Sequence, residues 1–316
     1  MKDRVKYPMF KKYLLLISIV YNVLASEPIS PIPKSVDFDY KKAKLGQALF
    51  FTTLLSKDNS VSCLSCHNIY DGGADSNPVS IGFARKKGNI QSPTVLNARY
   101  NFKQFWNGRA KDLKEQADGP LSNPVEHNMN PKSVVKALEG SKEFRKKFYD
   151  VYKTSKITYD DVLDAIVEFE KALITPNSKF DKYLRGEIKL SKDEKEGYIL
   201  FKQNGCITCH NGINIGANSF QKMGTFTEYK TKLDYPDRSK VNHNPMYKNV
   251  FKVPTLRNIS KTAPYFHNAS ANTLKDAINT MTKYNLGVKL TTEEVSKIES
   301  FLRTLDGELP KILEEK

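Results

Sequence analysis

"CLSCHN", Cys63 to Asn68, and "CITCHNG", Cys206 to Gly212, take up all four cysteines of this 316-residue chain in two copies of one pattern, C-x-x-C-H. A redox dithiol works without a neighbouring histidine and sits in a βαβ context that the pattern lacks. A Cys2His2 zinc site wants its histidines spaced downstream, whereas His67 and His210 directly follow their second cysteines. Paired local disulfides are a further alternative. Covalent haem c attachment uses every residue of the pattern: two thiolates add across the porphyrin vinyl groups, and the next residue ligates iron. Two copies using every cysteine read as two covalent haems c, at Cys63, Cys66 and His67 and at Cys206, Cys209 and His210.

Composition agrees with that reading. Lys2, Arg4, Lys6, Lys11 and Lys12 against Asp3 form a basic start, Tyr13 to Leu24 are mostly apolar, and Val23 and Ala25 stand at small-residue cleavage positions. This is the pattern of a secretory signal peptide over residues 1–25. The apolar run is shorter than the roughly 20 residues that a membrane span needs. A periplasmic mature chain without a membrane span is therefore expected, and no nucleic-acid partner. Removing the leader takes away five positive charges and one negative, which lowers the formal net charge from +15 to +11. A basic surface of this kind steers acidic redox partners.

An internal repeat sets the domain organisation. "GQALF" (Gly46 to Phe50) precedes the first haem motif and "GYILF" (Gly197 to Phe201) the second. Pro93 to Glu115 aligns without gaps on Pro254 to Asp276, with Pro, Thr, Asn, Phe, Asn, Ala, Leu and Lys identical at eight positions, far above chance. A duplicated module follows, divided near Thr175 to Glu187, where Pro176 stops a helix. The expected organisation is a leader (1–25), an N-terminal haem domain (26–176) and a C-terminal haem domain (177–316). Thr158 with Asp161, Ser191 with Glu194 and Thr291 with Glu294 are helix-start signals. The first precedes Val162, Ile166, Phe169 and Leu173 on one face; Gly205 closes the second helix, and Gly307 the third. Strand alternation is scarce. The fold class is all-α, two tandem cytochrome c-like domains, with long loops at 71–92 and 211–252 where haem edges and distal sites are expected.

Over nearly the whole mature length the chain resembles the bacterial dihaem cytochrome c peroxidases, which include relatives of the MauG type. The resemblance rests on "SCLSCHN", "SPTVLN", "QFWNGRAKDLKEQADGP", "NPVEHN", "CITCHNG", "VPTLRNISKTAPYFHN" and "MTKYNLG", in that order. It implies peroxide chemistry at the N-terminal haem and electron entry at the C-terminal haem from a small cytochrome c or copper protein. Bottom-up, Met223, Met246 and Met281 are all available as the sulfur ligand of the second iron; "MTKYNLG" resembles the segment that supplies it and points to Met281. The resemblance gives Glu126 the proton transfer on hydrogen peroxide, Gln116 the part of its hydrogen-bonding companion, and Trp106 the route between the haems. Its repeat partner His267 belongs at an equivalent place near the same boundary. A calcium ion between the domains is also implied, with Thr262 and Pro264 as carbonyl donors and Gln91 where the family carries Asn. So is a homodimer. Two other classes stay open: a dihaem electron carrier without turnover, and a MauG-like oxidase of a protein substrate.

In "PVSIGFARKKGN", Pro78 to Asn89, the resemblance places Phe83 where many members carry a histidine that caps the peroxidatic iron. Of the five histidines, His67 and His210 are proximal and His243 and His267 lie in the C-terminal half. His127 is thus the one N-terminal substitute, and an open or water-bound iron is the expectation.

Overall fold

The computed structural model describes residues 27–231 and 235–314. The leader at 1–25 lies outside them. The chain is mainly helical. The N-terminal half holds α1 (Tyr40–Phe51), α2 (Cys63–Cys66), α3 (Leu113–Ser122), α4 (Pro131–Gly140), α5 (Lys142–Tyr152) and α6 (Tyr159–Ala172). The C-terminal half holds α7 (Lys179–Leu184), α8 (Lys192–Gln203), α9 (Arg238–Asn242), α10 (Leu274–Met281) and α11 (Thr292–Arg303). Among the described residues, no helix is long and apolar enough to cross a membrane.

The helix starts follow local chemistry. Thr158/Asp161, Ser191/Glu194 and Thr291/Glu294 each form a reciprocal capping box that satisfies two otherwise unpaired N–H groups. The face carrying Val162, Ile166 and Phe169 is buried, with Leu173 just past the helix end. α11 stops at Arg303, before the expected Gly307. Gly307 has a packing role instead: a Cβ there would fall 2.0 Å from the Thr175 carbonyl oxygen. The 211–252 stretch is not all loop, for β1 (Phe220–Lys222) and β2 (Val250–Lys252) pair antiparallel, Phe220 opposite Lys252.

The two halves repeat one construction. α6 crosses α1 and α11 crosses α8, and both crossings are made at the glycine that opens the echoed pentapeptide. A Cβ on Gly46 would lie 1.9 Å from the Ala165 carbonyl oxygen, and one on Gly197 1.9 Å from that of Lys297. Only hydrogen fits there, so the backbones touch. After each haem motif Thr94 and Thr255 donate to carbonyl oxygens of the motif's own loop, Gly72 O (2.6 Å) and Asn214 O (2.7 Å). Asn97 and Asn258 then both take left-handed φ, 61° and 57°, which Asn tolerates. Both amides donate to one hydroxyl, Thr175 Oγ1, at 2.7 and 2.9 Å, at the junction of the halves.

The ends of the described chain cross over. Ile29 lies in the C-terminal core with Phe180, Tyr198 and Phe301, and Ile312 in an N-terminal core with Phe50, Ile69 and Phe169. Each half is thus closed by a segment from the far end of the sequence. Gly197→Ala and Gly46→Ala should each cost about 3 kcal/mol or more, since neither neighbour is a movable side chain. Denaturant unfolding of the haem-loaded protein checks this.

Candidate functional site

Each C-x-x-C-H motif is a tight turn ending on a half-buried histidine. α2 carries Cys63 and Cys66 on one turn, its start closed by Ser62 and Ser65. The His67 N–H donates to Cys63 O at 3.0 Å, and that of His210 to Cys206 O at 3.0 Å. Both rings are oriented from behind: His67 Nδ1 faces Gly73 O at 3.3 Å, and His210 Nδ1 faces Ile215 O at 3.2 Å. A carbonyl can only accept, so Nδ1 carries the proton and Nε2 keeps its lone pair, the tautomer that binds iron. Burial lowers the pKa of both, His210 to about 4, which favours the neutral ring that iron ligation requires. Gly216 allows the close fit, since a Cβ there would lie 2.2 Å from Pro254 O and 3.3 Å from His210 Nδ1.

The competing readings of the cysteines fail on this geometry. All four are free, so they form no disulfides. Burial pushes Cys63 up to about 12 and Cys206 up to about 11, the reverse of a reactive dithiol. Among the described residues no group of three or more His, Cys, Asp or Glu side chains forms a metal site, which disposes of zinc. What remains fits haem c in donor type, tautomer and burial.

Glu126 comes to the first motif from the turn that follows α3. Its negative charge reaches both Cys63 and Cys66, so the half-buried carboxylate lies on the side of the first motif. Burial raises its pKa, while a hydrogen bond from Asn123 Nδ2 and the Arg109 guanidinium act to lower it. The hydrogen-bonding companion of Glu126 is therefore Asn123; Gln116, half-buried on α3, makes no recorded bond to it. Arg109, whose guanidinium lies 3.3 Å from the Phe105 ring centroid, carried no assigned role in the sequence. Its repeat partner is Ser270, and that divergence between the halves is the signal that marks it.

The Phe83 loop rests on the Glu126 turn. The Phe83 N–H donates to Glu126 O at 2.7 Å, and Gly82 is packed so closely that a Cβ would meet Val125 O at 2.1 Å. The ring is half-buried, with the ammonium groups of Lys57 and Lys86 at 5.9 and 5.4 Å. His127 is buried beside Glu126 and its Nδ1 donates to Leu55 O at 2.9 Å.

Trp106 lies on the seam between the halves. Its Nε1 donates to Gln91 O at 2.8 Å, and its ring meets Phe251 and His267 edge-on at 6.4 and 6.2 Å. His267 stacks on Phe251 at 4.1 Å, with Tyr229 and Tyr235 around it and Nε2 without a partner. The echo positions Trp106 and His267 thus meet. Met281 belongs to the same aromatic cluster, together with buried Met223; Met246 is 85% exposed, which removes one of the three candidate sulfurs. Gln91 is buried on this seam as well. Its Nε2 donates to Asp75 O, leaving Oε1 for a cation, and its N–H donates to His267 O at 2.9 Å, beside the Thr262 and Pro264 segment.

Two C-x-x-C-H motifs, one in each half, with an aromatic seam between the halves, define a dihaem cytochrome. A di-haem cytochrome c peroxidase family model matches residues 40–189, and a cytochrome c model residues 194–306. The chain is 47% identical to the cytochrome c551 peroxidase of Nitrosomonas europaea, covering 90% of this chain and 86% of that one. It is 41% identical to the cytochrome c peroxidase Ccp of Escherichia coli, over 92% of this chain and 63% of that longer protein. A crystal structure of a MauG-like protein associated with microbial copper homeostasis shares the fold, with a TM-score of 0.78 at 24% identity, over 90% of this chain and 94% of that one. The chain belongs to the di-haem cytochrome c peroxidase family, and it is an enzyme of the peroxidase class.

If Glu126 is the proton acceptor, it works ionised, and activity falls as pH drops through its pKa. Arg109→Met removes a charge that holds that pKa down, so the acidic limb of kcat/KM should move to higher pH. A pH–rate profile of the variant against the parent checks the direction.

Proposed function

We propose that this chain reduces hydrogen peroxide to two waters, consuming two electrons and two protons, with Glu126 as the acid–base group. One arrangement supports the reading: the half-buried Glu126 carboxylate, held by Asn123 with the Arg109 guanidinium acting on it, lies within electrostatic reach of Cys63 and Cys66. The haem at Cys63, Cys66 and His67 supplies the iron that receives peroxide, and the haem at Cys206, Cys209, His210 and Met281 supplies a store for a second electron. Glu126 takes a proton from one peroxide oxygen and returns it to the other, the one that leaves as water. Asn123 orients the carboxylate, and the Arg109 charge favours its ionised form. Gln116 stands nearby on α3 as a further polar group of the pocket.

Electrons enter at the C-terminal half from a small cytochrome c or copper protein, for which a basic chain suits an acidic donor. Trp106, in contact with the cluster that holds Met281, joins the two pockets. Gln91, with the carbonyls of Thr262 and Pro264, is the candidate calcium site; an amide and two carbonyls form an all-oxygen set of the kind calcium takes. The division into 26–176 and 177–316, a periplasmic location and a homodimer complete the proposal. A carrier without turnover has no use for a half-buried carboxylate on the side of one haem motif, and that favours the peroxidase.

Peroxide-dependent oxidation of a reduced cytochrome c or copper protein tests the reading. Glu126→Ala should lower turnover on the order of 10² to 10⁴ while both haem spectra persist. Near-parental turnover would return Glu126 to a structural role. The resting state gives a separate test. Phe83 cannot ligate iron, so the fully oxidised protein should show a high-spin ferric signal and bind cyanide without prior reduction. A purely low-spin N-terminal haem would contradict this and point to His127.

A further inference from the structure

Four basic or imidazole side chains are buried among the described residues: His127, Lys252, Arg257 and His267. The two permanently cationic types among them differ sharply. Arg257 is fully satisfied: its guanidinium meets Asp181 at 2.6 Å and donates to the carbonyl oxygens of Ile213 and Ser30. Lys252 is only 7% exposed as a residue, and among the described residues burial alone acts on its ammonium, which keeps a trace of open surface at its tip and meets neither a hydrogen-bond acceptor nor a carboxylate. An isolated buried ammonium is strongly unfavourable, and proteins pair such a charge or lose it.

Nor can this lysine withdraw. Its backbone is paired with Phe220 in the β1–β2 ribbon, and its N–H donates to Trp106 O at 2.7 Å. Two residues on, Pro254 packs against Gly216, the glycine beside His210. Lys252 is thus fixed between the inter-haem tryptophan and the proximal wall of the second pocket. It is also the repeat partner of Gln91, so one half presents a neutral amide where the other presents a cation.

We propose that the Lys252 ammonium is the buried counter-ion of a haem propionate on the seam between the two pockets. The proposal rests on the dihaem reading, and the chemistry fits it, since each haem brings two carboxylates that the described chain does not otherwise neutralise with a buried cation. Burial alone pushes Lys252 down to about 8, and a carboxylate beside it restores the charged form. A fixed positive charge at this place favours the reduced iron of the haem it serves.

The test uses the haem-loaded protein with Lys252→Met, Lys252→Gln and Lys252→Arg. A pyridine haemochrome assay first establishes two haems per chain; a different ratio would count against the dihaem reading and not against the lysine. Spectroelectrochemical titration of the neutral variants should then show one haem harder to reduce by at least tenfold in its equilibrium, about 59 mV for one electron. Lys252→Arg should stay near the parent. Whichever haem shifts owns the propionate, and either result supports the pairing. Thermal unfolding should show Lys252→Met lowered in Tm, because a propionate is left unpaired. Unchanged potentials at both haems, or a raised Tm in Lys252→Met, would overturn the proposal. If Lys252→Met fails to accumulate, the Lys252→Gln titration decides.

Discussion

Two backbone hydrogen bonds set the geometry on which this molecule depends. Gln91 N–H reaches His267 O, and Lys252 N–H reaches Trp106 O. Under the repeat, Gln91 corresponds to Lys252 and Trp106 to His267, so each bond is the image of the other. Such a reciprocal pair allows little sliding of one half on the other: a shift that improves one bond breaks its image. Electron transfer between two haems needs fixed separation and orientation, and a pseudo-symmetric seam of main-chain bonds supplies both without relying on flexible side chains.

The same pseudo-symmetry shows where the halves have specialised. Thr175 accepts from both Asn97 and Asn258, and the glycine crossings at Gly46 and Gly197 are nearly superposable, so the scaffold has stayed duplicated. The pocket residues have not. Arg109 faces a buried carboxylate, while its counterpart Ser270 bonds Tyr229 OH at 2.7 Å. Trp106 donates to a main-chain carbonyl, while His267 is boxed in aromatic rings with Nε2 unpartnered. The N-terminal half has gathered polar groups around Glu126. Sulfur and aromatic groups, suited to holding and passing electrons, have collected around its partner.

Burial does much of the electrostatic work. It lowers the pKa of His67 and His210, which favours neutral imidazoles, and it raises the pKa of Glu126. Asn123 and Arg109 act against the last of these.

Much was legible in the residues alone, because the signals were local. A C-x-x-C-H motif is a covalent specification within one turn, capping boxes act over three residues, and a gapless 23-residue echo reports duplication without any knowledge of contacts. The two-haem, all-α reading needed nothing more. Other features depended on residues far apart in sequence and became visible only with the chain folded. Asn123 in place of Gln116 as the partner of Glu126 follows from how the turn after α3 closes. The role of Gly307 in packing, and not as a helix stop, comes from Thr175, some 130 residues away. Exchange of the ends, Ile29 into one core and Ile312 into the other, leaves no periodic trace. The unpaired state of Lys252 is a property of its surroundings, since nothing in "VFKVP" says whether a lysine there meets water or is buried without a counter-charge.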